Sequence, residues 1–227
     1  MKGLTVIFIA SIVLPAHAGI VIYGTRIIYP AEKNEVLVQL MNQGERSSLV
    51  QSWIDDGDMS LSPEKIQVPF LLTPPVAKVA AKSGQQLKIK KMPNMLPNNK
   101  ESLFYLNVLD IPPNNPDSVG KNVLKFAMQN RIKLFYRPKG ISPVNKLTFQ
   151  KLSMKRSASI YSIKNDAANW VTVTEVKAND VKINNESIML APLSSADVTL
   201  KSANANQYEM TIIDDHGNYI SDNVSLK

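Results

Sequence analysis

The chain of 227 residues contains no cysteine, which excludes disulfide-stapled secreted scaffolds and leaves packing as the source of stability. Histidine is almost as scarce: His17 falls in an N-terminal leader, so His216 is the one imidazole left to the mature chain. A Ser-His-Asp or Cys-His arrangement would have to be built on that ring, which sits in the turn-like stretch DDHGNY. One imidazole without thiolates does not make a usual zinc site. The nine glycines are scattered, and none forms the GxxxxGK or GxGxxG loops that cradle phosphates. No block of five like charges occurs, so there is no basic or acidic tail. Paired carboxylates of the glycosidase type are neither indicated nor excluded. DDGD at Asp55–Asp58 lacks the spaced ligands and terminal Glu of a calcium loop and reads as a hairpin turn.

Long apolar runs are also missing, apart from one at the start. Lys2 precedes LTVIFIASIVL, then Pro15 and AHA, the layout of a secretory signal peptide with cleavage expected between Ala18 and Gly19. The run is shorter than the roughly 20 residues that span a bilayer, and the mature protein is expected to be soluble outside the cytoplasm. Loss of Lys2 takes the formal charge from +7 to +6, with 25 Lys plus Arg against 19 Asp plus Glu. That surplus suits an acidic partner as well as a solubilised surface. An exported protein has little occasion to meet nucleic acid, and neither membrane insertion nor a cofactor is expected.

What is abundant is alternation. Runs of four to ten residues with a period of two recur, separated by Pro, Gly, Asn and Asp, while helical spacing is rare. The chain reads all-β. Seven candidate strands fill the first half, from IVIYGTRIIY at Ile20–Tyr29 to NVLKFAMQNRIKLFY at Asn122–Tyr136, the count of an immunoglobulin-like sandwich. RPKGISPVN after Tyr136 reads as a linker. A second set of strands follows, from KLTFQKLSMKR at Lys146 to YEMTIID. The expected division is a leader at 1–18, one sandwich at 19–138 and another at 139–227, with a cleft at the bend between them. DIPPNNPDSVGKN is the one long polar connector. In the strand after it, Leu124, Phe126 and Met128 alternate on one face, and Arg131, Lys133 and Arg137 crowd the second half. From the residues alone, that apolar face serves the protein's own core or another chain equally well.

TRIIYP at Thr25–Pro30, QSWI at Gln51–Ile54, TPP at Thr73–Pro75, ESLFYLNVLDIPP at Glu101–Pro113, IKLFYRP at Ile132–Pro138 and IDDHG at Ile213–Gly217 occur in one order. In that order and spacing the chain resembles the periplasmic pilus chaperones of the chaperone/usher pathway. The resemblance implies two immunoglobulin-like domains in a boomerang and a non-enzymatic function in the periplasm. It implies that pilus subunits lacking their last strand borrow one from the chaperone, by donor-strand complementation, until the outer-membrane usher replaces it. Leu124, Phe126 and Met128 then fill the subunit's groove. Arg26 and Lys133 match the family's anchor for the subunit's terminal carboxylate. Glu101, Arg137 and Asp215 match a trio that links the two domains by charge. A self-capping dimer of the empty chaperone also follows, and Pro74 or Pro75 lies where a cis bond can occur.

The short connector without a flanking cysteine pair is similar to the short-loop branch, whose clients build rod-like adhesive pili. NDAANW at Asn165–Trp170 departs from the family's proline-rich NPTPYY. Lys133 is at odd parity from Leu124, Phe126 and Met128. Either a bulge intervenes or the anchor lies on the other face of the sheet. Two rivals remain: an extracellular β-sandwich structural or adhesive subunit, and a hydrolase built around His216.

Overall fold

The computed structural model describes residues 19–114, 124, 126–157, 160–201, 205 and 207–226. The expected leader and most of the polar connector lie outside these residues. Strand-forming alternation dominates as expected, and the strands make two sandwiches with separate cores.

The first sandwich begins with the stretch read above as a single strand. It is in fact two: β1 (Ile20–Ile22) and β2 (Arg26–Pro30). Gly24 adopts φ +104° between them, a left-handed conformation that L side chains rarely take. The break lets the chain change sheets. β1 pairs antiparallel with β3 (Glu35–Asn42), whereas β2 pairs parallel with β9 (Met128–Arg137). With β4 (Ser48–Asp55), β5 (Phe70–Thr73), β6 (Val76–Val79), β7 (Gly84–Lys91) and β8 (Ser102–Ile111), the two sheets run β1-β3-β7-β5 and β2-β9-β8-β4-β6. Their facing sides bury Tyr29, Leu40, Ile89, Leu106, Val108 and Leu134 completely or nearly so. The Thr73–Pro74 peptide is cis.

The second sandwich comprises β10 (Leu152–Ser157), β11 (Ile160–Asn165), β12 (Val171–Ala178), β13 (Val181–Lys182), β14 (Ile188–Leu190), β15 (Ser194–Val198), β16 (Gln207–Ile213) and β17 (Tyr219–Ser225). Its sheets run β10-β11-β15 and β13-β12-β16-β17, with β14 also on β12. Met154, Ile163, Val173, Tyr208, Met210 and Ile212 fill its core. The strand expected from Lys146 starts only at Leu152, because residues 146–151 form a 3-10 turn. Asn145 caps it: its side chain accepts from Leu147 N at 2.8 Å, and Thr148 Oγ1 accepts from Asn145 N at 3.1 Å.

Candidate functional site

β9 decides where the site is. Along one side it pairs with β8 without a shift in register, from Asp110↔Met128 to Ser102↔Tyr136. No bulge separates Met128 from Lys133, so strict alternation holds and Lys133 stands on the face opposite Met128. The even positions Ile132, Leu134 and Tyr136 pack on the first core. Met128, Phe126 and Leu124 continue the same parity beyond the end of that core, and they are 66%, 71% and 79% exposed. The strand itself starts at Met128, so Leu124 and Phe126 precede it rather than belonging to it. The expected strand is shorter because its first residues have no core beneath them.

The other side of β9 is half covered. β2 pairs with Lys133–Arg137 and ends there, since Arg26 is the register partner of Lys133. Among the described residues no strand pairs with Met128–Ile132 on that side. An open pocket of about 390 Å³ lies here, between β1 and Asn130–Ile132. Asn130 Nδ2 reaches Ile20 O at 3.4 Å across it. The sheet thus presents an unpaired edge whose exposed side chains are apolar on one face.

The opposite face of β9 carries the cations, and it looks into the bend between the domains. Arg131 is neutralised at home: its Nη2 donates to Asp55 Oδ1 at 2.5 Å, and its guanidinium lies 3.7 Å from the Tyr105 ring centre. Asp55 belongs to the DDGD turn, where it also accepts from Asn107 and from Gly57 N. Arg137 is buried between Glu101 and Asp215. It donates from Nε to Glu101 Oε1 and from both Nη atoms to Asp215, with Nη2 to Oδ1 at 2.7 Å. The forked pairing spans the two domains.

Lys133 is different. Among the described residues it has neither an ion pair nor a hydrogen-bond partner for Nζ. Burial, and then the neighbouring Arg26 charge, press its pKa below the ordinary lysine value. Arg26 shares the face, since it is the register partner of Lys133 and Ile27 and Tyr29, at the opposite parity of β2, point into the core. Its Nη1 donates to Ile213 O at 3.3 Å, while Nε is buried and has no partner. Burial lowers the Arg26 pKa too, against the opposing pull of Asp215, Asp214 and Glu101. Two cations thus stand side by side, half-buried and short of acceptors among the described residues.

Glu101 ties the bend together through the loop whose sequence departs from the family pattern. Glu101 N donates to Ala168 O at 2.9 Å, and its carboxylate accepts from Trp170 N at 2.8 Å and Asn169 Nδ2 at 3.1 Å. Burial raises the Glu101 pKa, and Arg137 with these donors pulls it back. Gly217 approaches Thr25 so closely that a Cβ there would lie 2.5 Å from Thr25 Oγ1. Sequence reasoning missed Asn169 and Ala168 because they act through backbone and amide groups that any loop carries. His216 sits in a turn held by Asp214, whose Oδ1 accepts its backbone N–H at 2.9 Å. Among the described residues its ring makes no side-chain hydrogen bond and no ion pair.

Two family models match. One describes a pili and flagellar-assembly chaperone N-terminal domain, over residues 19–142, and the other a pili assembly chaperone C-terminal domain, over 147–224. The chain is 73% identical over 224 residues to the probable fimbrial chaperone YehC of Escherichia coli K12, covering 99% of this chain and 94% of that one. The crystal structure of the Pseudomonas aeruginosa CupB2 chaperone is similar at 29% identity and a TM-score of 0.78, covering 91% of this chain and all of that one. That of the periplasmic chaperone SfaE is similar at 29% identity and a TM-score of 0.73, covering 92% and 99%.

Proposed function

The chain belongs to the PapD family of pilus-assembly chaperones, which are periplasmic and non-enzymatic, and from that premise we propose that it holds pilus subunits by lending them the stretch Leu124–Ile132. The observation that carries this reading is the coincidence of three features at the start of β9. Met128–Ile132 has a free backbone edge, Leu124, Phe126 and Met128 are exposed apolar groups in a single parity, and Arg26 with Lys133 closes the edge. A subunit that lacks a strand exposes an apolar groove and unpaired backbone groups, both costly in water. Strand addition satisfies both at once. Each of the three apolar side chains contributes on the order of 2 kcal/mol by burial, from which association entropy must be subtracted.

Arg26 and Lys133 bind the subunit's terminal carboxylate and so set the register, which a strand of strict alternation cannot set for itself. Apolar side chains and anchor work on opposite faces of β9: the side chains enter the groove while the carboxylate lies in the bend. The clients are subunits of the rod-like adhesive type, in keeping with the short connector. The usher takes the subunit over by exchanging the lent strand. An empty chaperone covers its own ribbon by pairing with a second copy. The test is co-secretion with a pilus subunit from the same assembly system. Wild type is expected to protect the subunit from proteolysis and to co-purify with it, whereas Arg26→Ala with Lys133→Ala folds and loses it. Normal recovery by the double variant contradicts the reading.

A further inference from the structure

Asp110 is a buried carboxylate, 9% exposed, for which the function above has no use. It is the penultimate residue of β8, directly opposite Met128. Its Oδ2 accepts from Ile20 N at 3.0 Å, and its Oδ1 accepts from Ser48 Oγ in a very short contact. No Lys, Arg or His among the described residues forms an ion pair with it. Arg46 and Glu45 line the same hollow, but Glu45 is paired with Lys82. A buried carboxylate without a cation is costly, and this one is aimed at the first residues of β1. A Cβ at Gly19 would collide with Asp110 Oδ2. The Gly19 nitrogen is one bond angle away from that Cβ position, which places it within about 5 Å of the carboxylate.

We propose that Asp110 is the receptor for the mature chain's own α-ammonium. The proposal rests on the leader reading, not on subunit capture. Hydrolysis of the Ala18–Gly19 peptide bond by a signal peptidase consumes one water, leaves a carboxylate on Ala18 and frees an amine on Gly19 that takes up a proton. The cleavage converts a neutral amide beside Asp110 into a cation, and a charge-assisted hydrogen bond replaces an uncompensated charge. β1 is then pinned to the end of β8 at the level where β9 becomes free, so that processing completes one wall of the open pocket beside Asn130.

Intact mass of the secreted protein is expected to place Gly19 first; a mature chain starting elsewhere overturns the proposal. Three further proteins are then compared by denaturant unfolding: one secreted with an extra alanine ahead of Gly19, Asp110→Asn, and both together. Each single change is expected to lower the equilibrium constant for folding about tenfold, and the pair together no more than either alone. Additive losses, or no loss from the extra alanine, overturn it. Should Asp110→Asn fail to fold, selective acetylation of the α-amine on the wild-type protein supplies the same comparison, with the same tenfold loss expected and no loss overturning it. Arg46→Ala serves as control: if it, and not the extra alanine, carries the loss, Asp110 pairs with Arg46 and the proposal falls.

Discussion

Arg131, Lys133 and Arg137 share one face of one strand, yet their environments differ completely. Asp55 neutralises the first and Glu101 with Asp215 the last, while the middle one has no partner among the described residues. The crowding of cations was legible in the sequence. Their partners were not, because Asp55 and Asp215 are 76 and 78 residues away and only the topology brings them near. An unpaired, half-buried lysine costs the free protein something. Its lowered pKa means that the unfolded chain holds the proton more tightly. The penalty is therefore full below the folded value and is relieved as pH rises through it toward the ordinary 10.5. Lys133→Met is expected to raise the thermal midpoint at pH 7 by a few degrees at most, with the gain shrinking at alkaline pH, while subunit affinity falls about a hundredfold or more. Calorimetry across pH and a binding titration check the two halves. A lower midpoint with intact affinity would mean that Lys133 is a structural residue.

At the scale of elements, parity was the readable signal. Alternation from Leu124 to Tyr136 is continuous, and the structure divides it by position rather than by face: the later residues meet a core and the earlier ones extend past it. Sequence could not show where the core stops, since that depends on the length of β8 and on where β2 begins. The split of Ile20–Tyr29 was hidden for a related reason. Gly24 was visible, but the change of sheet is a matter of partners. Phe126→Glu is expected to leave the unfolding free energy within about 0.5 kcal/mol of wild type, as for a surface site, while subunit capture is lost. In a self-contained structural subunit the same charge would enter the core and unfold it. The variant should also abolish concentration-dependent dimerisation in sedimentation experiments, and a dimer that persists would place the self-association surface elsewhere.

For the whole molecule, two domains and the bend between them followed from strand counts and the Pro-Gly linker. The interlock did not. Glu101 anticipates it only through a resemblance, and Asn165–Trp170 was noted as a departure without its role being visible. In the structure that loop supplies Ala168 O, Asn169 Nδ2 and Trp170 N to Glu101, so the bend is held by a desolvated network as well as by charge. Arg137→Ala leaves Glu101 and Asp215 without their cation and is expected to cost about 3–5 kcal/mol. It should also split a coupled calorimetric transition into two. A single unshifted transition would mean that the trio contributes nothing to the coupling of the domains.

Residue, element and molecule converge on one claim: Leu124, Phe126 and Met128 are kept out of the protein's own core so that another chain can pair with the free edge of Met128–Ile132, in a register set by Arg26 and Lys133. Amide hydrogen exchange over β9, with and without a bound subunit, tests this most directly. Protection is expected to rise sharply at Met128–Ile132 on binding and to remain unchanged at Lys133–Arg137, which β2 already covers. Unchanged exchange at Met128–Ile132 in a complex of full occupancy would contradict the account.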